Sequence, residues 1–374
     1  MTYATEQALG ATVGERADAQ VAQLTTDLGA AQQALADTQR DLTARTAQRD
    51  QLQTQLTAVQ GDDQADTARV AALTAQLAEA QHDRDAALEE LIEATRPRVA
   101  VGAAMYNNGD PGPLEAKAGQ PFAVRRTYWD LTAGNVAKAV AVATADVAAG
   151  RVPLLSFKLG GTVTWAQAST GTSDAAVTDL AAKLGALVGR VMVVIHHEPE
   201  SAGQPLADFI RMQRRLLPIL RQQPNIRVGV IVTGWNQFYS GRPEQTLDAL
   251  VPVELVDFVG FDVYQVWGTW FTSSTGVKTQ RLAAKDWSDL PTYYAKMRAW
   301  CEPRGIAWGI AETGITDEAF ARPEGPSWFT DQLRDVGAAG GSFWAYFNTT
   351  QNSTGSWTLS GGKADAFAAA LAAT

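Results

Sequence analysis

The sequence predicts an α/β protein, a (β/α)8 TIM barrel preceded by a long α-helical coiled coil. In the first 97 residues, apolar side chains recur with alternating spacings of three and four, which is the heptad pattern of a coiled coil. After them, short β-branched runs alternate with alanine-rich stretches, as in βα units with a parallel sheet. All 11 Trp and all 12 Phe lie in this second part, so a large apolar core can form only there.

Composition narrows the possible functions of the 374-residue chain. Its formal net charge is −9 and its pI is about 5.0, without a basic patch, which argues against nucleic-acid binding. The single cysteine, Cys301, excludes an intrachain disulfide and a cysteine-based zinc site. No apolar run approaches the ~18 residues of a membrane span. The N-terminal residues also lack the basic and apolar regions of a secretory signal, and we expect no cofactor and no bound metal.

The segment 1–97 is acidic, with 16 Asp and Glu against 7 Arg and no Lys. Its heptad positions are Val21, Leu24, Leu28, Ala31, Leu35, Thr38, Leu42, Arg45, Arg49, Leu52, Leu56 and Val59, and then Val70, Leu73, Leu77, Leu88 and Leu91. GDDQAD, at 61–66, separates the two runs. Either the helices form a parallel oligomer, for which we favour a trimer, or the chain turns at Gly61 into a hairpin. Pro97 ends the helix, because proline disfavours helix in the preceding residue.

Residues 98–374 contain eight strand-like runs separated by helical stretches. The predicted strands are 98–106, 122–129, 152–160, 191–198, 227–235, 256–264, 306–313 and 340–348. The predicted helices are 133–149, 173–189, 205–222, 244–250, 290–304, 327–338 and 362–373. The number and length of these units match a (β/α)8 barrel. A doubly wound open sheet is less favoured, because the first turn, MYNNGDPGPLEA, lacks a glycine-rich phosphate loop.

The carboxyl ends of barrel strands form the active site in such folds. Glu198 ends the fourth strand and Glu312 the seventh, and two carboxyl groups flanking a cleft are what glycoside hydrolysis requires. We therefore predict both as catalytic residues, one protonated and one ionised. The predicted substrate-binding residues are His197, Tyr264, Trp235, Trp344, Arg125, Trp129, Asp262 and Tyr346. His196 is expected to be structural. A zinc site built from His196, His197 and Glu198 is not expected, because neighbouring strand residues point to opposite faces and cannot share one ion easily.

Four motifs resemble the glycoside hydrolase clan A barrel. They are HEP (197–199), VDFVGFDVY (256–264), IAWGIAETG (306–314) and FWAYFN (343–348). The His before the first glutamate is most similar to family 26, the β-mannanase-like group. This resemblance implies a retaining double displacement with Glu198 as acid/base, Glu312 as nucleophile, Tyr264 orienting the nucleophile and His197 against the substrate. The sequence after Glu198 departs from that family, and the family's strand-8 aromatic corresponds to either Tyr346 or Trp344.

An Ala-, Thr- and Asp-rich coiled coil joined to a hydrolase-like barrel also resembles minor tail proteins of phages that infect actinobacteria. The resemblance implies an endo-acting enzyme, carried by the virion, that cleaves a cell-envelope or β-mannan-like polysaccharide. Its partners would be that polysaccharide, further copies of the chain and other tail proteins. Two alternatives stay open: a receptor-binding barrel that holds glycan without catalysis, and a structural protein whose coiled coil is the functional part.

Overall fold

The computed structural model describes residues 33, 36–37, 39–55, 57, 72–80, 99–272, 275–350 and 356–373. The chain divides into two compact units, Met1–Arg96 and Pro97–Thr374. No helix within these described ranges is long and apolar enough to cross a membrane.

The first unit is helical at 39–55 (α1) and 72–80 (α2). The predicted heptad positions within these helices are less exposed than most of their neighbours: Leu42, Arg45, Arg49, Leu52, Leu73 and Leu77. The other heptad positions, from Val21 to Thr38 and from Leu56 to Leu91, and the segment 61–66 lie outside the described residues. The coiled coil, its oligomer and the alternative hairpin therefore stay predictions.

The second unit is a closed barrel of eight parallel strands, which confirms the predicted TIM barrel. Its strands are β1 (Ala100–Met105), β2 (Val124–Leu131), β3 (Val152–Leu159), β4 (Val191–Ile195), β5 (Ile226–Val232), β6 (Phe258–Asp262), β9 (Ala307–Thr313) and β10 (Phe343–Asn348). β1 closes the ring by pairing with both β2 and β10. An antiparallel hairpin that the sequence did not predict, β7 (Trp270–Thr272) with β8 (Lys278–Gln280), follows β6.

Helices surround the barrel. They are α3 (Gly112–Ala118), α4 (Ala133–Ala148), α5 (Trp165–Ser169), α6 (Asp174–Gly185), α7 (Leu206–Leu220), α8 (Trp235–Tyr239), α9 (Leu247–Leu250), α10 (Leu290–Cys301), α11 (Asp317–Phe320), α12 (Trp328–Ala338) and α13 (Gly361–Ala372). Several begin where a side chain caps a free backbone N–H. The Thr132 hydroxyl accepts from the Asn135 N–H at the start of α4, for example, and Asp289 accepts from Thr292 at the start of α10.

Strand alternation divides the barrel residues between two cores. The small inner core fills the barrel with Val124, Leu154, Val194, Ile231, Phe258, Ala311 and Phe343. The larger outer core lies between the strands and the helices. Because successive side chains on a strand point to opposite faces, Val124, Arg126 and Tyr128 share the inner face of β2, and Arg125 lies on its outer face. This alternation decides which residues reach the barrel mouth.

Candidate active site

A cavity of about 1020 Å³ opens at the carboxyl ends of the strands, at the upper end of the usual range for ligand sites. Its lining comprises both predicted glutamates, aromatic rings and two lysines: Met105, Asn107, Asn108, Tyr128, Trp129, Asp130, Asn135, Lys138, Ala141, Val142, Lys158, His197, Glu198, Tyr264, Val266, Thr269, Glu312, Phe347, Thr349 and Trp357. Of the predicted substrate-binding residues, His197, Tyr264 and Trp129 therefore reach it.

Glu312, on β9, is buried and held by three donors. The Tyr264 hydroxyl donates to its Oε2 at 2.6 Å, and the Tyr128 hydroxyl donates to its Oε1 at 2.9 Å. Arg126 Nη2 lies 3.0 Å from the same Oε1. A carboxylate has about four lone-pair sites, so one remains for a ligand. Hydrogen bonds from a guanidinium and two hydroxyls stabilise the carboxylate charge and fix its direction.

Arg126 is the centre of this arrangement. It is fully buried, and its Nη1 donates to Asp262 Oδ1 at 2.8 Å while Nη2 contacts Glu312. Asp262 is almost completely buried and lies outside the cavity lining. The prediction that Asp262 binds substrate is therefore wrong, because its carboxylate is committed to Arg126 beneath the site.

Glu198 reaches the cavity through a sharp bend after β4. Two non-glycine residues there have left-handed backbone, His196 with φ 62° and Glu198 with φ 50°, and such residues cost about 1–3 kcal/mol each. The His196 N–H donates to the Phe157 carbonyl at 2.7 Å, and the Glu198 N–H donates to the Ile231 carbonyl at 2.9 Å. These bonds to the adjacent strands impose the bend, which turns the Glu198 carboxyl toward Glu312.

One carboxyl oxygen from each of Glu198, Asp262 and Glu312 lies within 4.8 Å of the others. No guanidinium or hydroxyl of the described part of the chain bonds the Glu198 carboxyl, in contrast to Glu312. Burial, and then the nearby Glu312 charge, raises the pKa of Glu198 to about 7. The site thus pairs a carboxylic acid that keeps its proton near neutral pH with a carboxylate fixed beside it.

These three carboxyl groups are also the only cluster of metal-ligand type within the described ranges. The Arg126 guanidinium already contacts two of them, Asp262 and Glu312. A divalent cation would have to enter beside that fixed positive charge, so the donor set does not fit a metal well.

The two histidines have different surroundings. His197 lines the cavity with its ring centroid 5.5 Å from that of Tyr128, and its buried Nδ1 has no partner among the described residues. Burial, followed by the Arg126 charge, holds the pKa of His197 well below its usual value, so a neutral imidazole faces the ligand space. His196 instead packs edge-on against the buried Trp165, with ring centroids 4.9 Å apart.

Four of the predicted substrate-binding residues lie elsewhere. Trp344 and Tyr346 are 0% exposed and pack among aromatic residues of the outer core, including Phe329 and Phe367. Both predictions are wrong, because these two residues lie on the outer face of β10. The prediction that Arg125 binds substrate is also wrong, because Arg125 lies on the outer face of β2 and pairs with Asp146 at 2.9 Å. Trp235 is 54% exposed at the start of α8 and does not line the cavity.

The structure adds Arg126, Tyr128, Phe347 and Trp357 to the site. Phe347, the residue after Tyr346, lies on the inner face of β10. Trp357 comes from the loop after β10, is 5% exposed, and lies against Tyr264 with ring centroids 4.9 Å apart. The buried Lys363 holds that loop by donating to the Ser356 carbonyl at 3.0 Å. Phe347 and Trp357 thus line the cavity where the sequence predicted Tyr346 or Trp344.

The two tryptophans are expected to respond differently to truncation. Trp344→Ala removes a fully buried ring of the outer core and should cost about 3–5 kcal/mol of unfolding free energy. Trp357→Ala removes a ring of the cavity wall and should mainly weaken glycan binding. Urea unfolding and a glycan-binding titration measure the two effects. If Trp344→Ala lost binding at unchanged stability, its assignment to the outer core would be wrong.

No protein-family model matches the chain, and no curated protein matches it. Among solved structures, it is similar to the GH5-4 broad specificity endoglucanase from Clostridium longisporum, with a TM-score of 0.54, 15% identity and coverage of 75% of this chain and 97% of that one. A GH5-4 broad specificity endoglucanase from an uncultured bovine rumen ciliate has a TM-score of 0.51 and 13% identity, covering 70% and 85%. Thermotoga maritima Cel5A in complex with cellobiose has a TM-score of 0.52 and 11% identity, covering 73% and 97%.

At these identities the likeness shows the barrel fold alone. The more specific resemblances to family 26 and to phage tail proteins stay predictions.

Proposed function

We propose that the barrel is a retaining O-glycoside hydrolase with Glu198 as general acid/base and Glu312 as nucleophile. One observation carries the proposal: two glutamates meet in one cleft with opposite environments. Glu312 is held by Arg126, Tyr128 and Tyr264, whereas burial leaves Glu198 with a pKa of about 7. Environments that separate two carboxyl groups in this way assign the acid and the nucleophile.

The reaction proceeds in two displacements. First, a Glu312 oxygen bonds to the anomeric carbon while Glu198 gives its proton to the leaving glycosidic oxygen, which breaks the glycosidic bond. Glu198 is then ionised and takes a proton from water, whose oxygen attacks the same carbon and releases Glu312. Each step inverts the anomeric centre, so the product retains the configuration of the substrate.

Carboxyl spacing supports retention over inversion. Retaining enzymes keep the two carboxyl groups about 5–5.5 Å apart, and inverting enzymes about 6.5–9.5 Å apart to admit a water. One carboxyl oxygen of Glu198 lies within 4.8 Å of one of Glu312, which agrees with the shorter, retaining spacing. The neutral imidazole of His197 and the rings of Trp129 and Trp357 would contact the sugar.

The proposal is tested by reducing-sugar release from β-mannan, β-glucan, xylan and isolated actinobacterial envelope glycans. We expect release from at least one polymer, with the first product in the anomeric configuration of the substrate by proton NMR. A product of opposite configuration would exclude Glu312 as nucleophile. Binding without release from any polymer would favour the alternative of a glycan-binding barrel without catalysis.

We further infer, from the sequence pattern, that the enzyme acts on internal bonds of a cell-envelope or β-mannan-like polysaccharide. We also infer that it acts from a virion, as a phage tail component, or otherwise outside a cell. The heptad pattern of segment 1–97 supports this setting. Other tail proteins and further copies of the chain are its proposed partners.

A trimeric coiled coil predicts the molar mass in solution. Light scattering should give about three times the chain mass of 39.9 kDa, because heptad helices bury their apolar positions only against partner helices. Removing residues 1–97 should return the barrel to a monomer. A full-length monomer would instead favour the intrachain hairpin.

A further inference from the structure

The cavity extends beyond the two glutamates onto the surface of α4. Asn135, Lys138, Ala141 and Val142 belong to its lining and share one face of the helix, because residues three and four apart lie one above the other. They span roughly 10 Å at about 1.5 Å per residue. We call this part of the cavity the α4 arm. Trp129, near the end of β2, also belongs to the cavity lining. Cleavage of a single bond does not need the arm, but a polymer would occupy it.

Lys158 lies where the arm meets the reacting groups. It sits near the end of β3, is exposed and lines the same cavity. Its charge acts on both histidines, where it lowers the pKa after the larger effect of burial, and also on Glu198. A positive charge therefore stands beside the catalytic acid without being part of the proposed chemistry.

Neither Lys138 nor Lys158 forms an ion pair with any residue that the structure describes. Three other lysines of the barrel form ion pairs, Lys117 with Asp365, Lys183 with Asp179 and Lys363 with Asp317, and of the lysines without an ion pair in the described ranges only Lys138 and Lys158 line the cavity. Asp130 is the acidic residue of the arm and is in register with Lys158 across β2 and β3. It forms no ion pair with either lysine in the described ranges. The cleft thus presents two unpaired positive charges on one side of its negatively charged floor.

We propose that the cleft binds an anionic polysaccharide, with Lys138 and Lys158 contacting carboxylate or phosphate groups of sugar units that flank the cleaved bond. The cleavage part of this inference rests on the proposed hydrolase function. Glu312 would repel a negative group on the unit under attack, so the anionic groups belong to neighbouring units. The first turn of α4 also lies at this arm, and the positive end of its helix dipole favours the same charge.

The test uses the full chain carrying Glu312→Gln, so that bound glycan is not cut. Polygalacturonate supplies carboxylates, a phosphate-bearing mannan supplies phosphates, and β-mannan and β-glucan are neutral. Lys138→Ala/Lys158→Ala should lower the affinity for at least one acidic polymer about tenfold, as expected for two exposed charge contacts. Binding of neutral polymers should change less than about twofold, and the effect should shrink between about 50 and 500 mM salt. The acidic polymer that responds identifies carboxylate or phosphate as the recognised group.

Lys285→Ala/Lys296→Ala is the matched control, because it removes two exposed lysines outside the cavity lining. Equal losses in both double variants, or equal losses for acidic and neutral polymers, would overturn the inference. The two proposals fail separately. Hydrolysis of neutral glycans without a preference for acidic ones would support the hydrolase proposal and overturn the proposal of an anionic substrate. Lysine-dependent binding of acidic glycans without hydrolysis by the wild-type chain would support the anionic ligand and overturn the hydrolase proposal.

Discussion

Glu312→Gln is expected to lower glycan hydrolysis by at least about 10⁴-fold, the scale seen when a nucleophile that acts as part of a unit is removed. The amide oxygen is a poor nucleophile and cannot carry the charge that Arg126 stabilises at 3.0 Å. Folding should survive, since the side chain keeps its size and Arg126 keeps Asp262 at 2.8 Å. Because a hydrogen bond to a charged group contributes about 1.5–3 kcal/mol, we expect the unfolding free energy to fall by about that amount.

The matched control is Glu244→Gln, which changes an exposed glutamate outside the cavity and should leave hydrolysis unchanged. Added azide distinguishes the roles of the two glutamates, because the two alanine variants should give glycosyl azides of opposite configuration. Azide replacing Glu312 in Glu312→Ala should yield a glycosyl azide of inverted configuration. Azide entering beside Glu198→Ala attacks the glycosyl-enzyme and should yield the retained configuration. Exchange of these two outcomes would reverse the assigned roles, and wild-type rates in Glu312→Gln would end the two-glutamate mechanism.

The barrel could be predicted from sequence because its signal is local and repeated. All eight predicted barrel strands form, since each run carries its own β propensity and most are followed by a helical pattern. The hairpin β7–β8 was missed because three-residue strands, one beginning at the exposed Trp270, carry too little pattern.

Site residues were predictable only where the position along a strand sufficed. Glu312 lies near the end of β9 and Glu198 shortly after β4, and the two do come together. The choice of Arg125 over Arg126 failed because it depended on which face of β2 each residue takes. That face could have been deduced, since Tyr128 and Arg126 share one side of the strand. Trp357 had no such signal, because its position depends on long-range contacts of its loop with Tyr264 and Lys363.

Glu198→Gln is expected to make the folded protein more stable at neutral pH while removing its activity. Burial and Glu312 raise the Glu198 pKa from 4.5 to about 7. Between these values the unfolded chain releases the proton that the folded chain still holds, so stability falls as pH rises through this window. At about 1.4 kcal/mol per pH unit over about 2.5 units, the wild type loses about 3 kcal/mol by pH 8. Glutamine has no proton to hold, so the variant should escape this loss.

Urea unfolding at about pH 4 and pH 8 measures the difference, which should be near zero at the lower pH and largest at the higher one. Glu115→Gln is a control of opposite sign. The Glu115 carboxylate accepts from Arg151 Nε at 2.6 Å, and these contacts lower its pKa although burial opposes them, so that variant should lose stability at pH 8. The same titration of Glu198 should end wild-type activity: kcat/KM should fall above about pH 7, where the acid has lost its proton. Activity that persisted well above that pH, or a stability gain of Glu198→Gln over the wild type that was no larger at pH 8 than at pH 4, would show that Glu198 is not the buried acid.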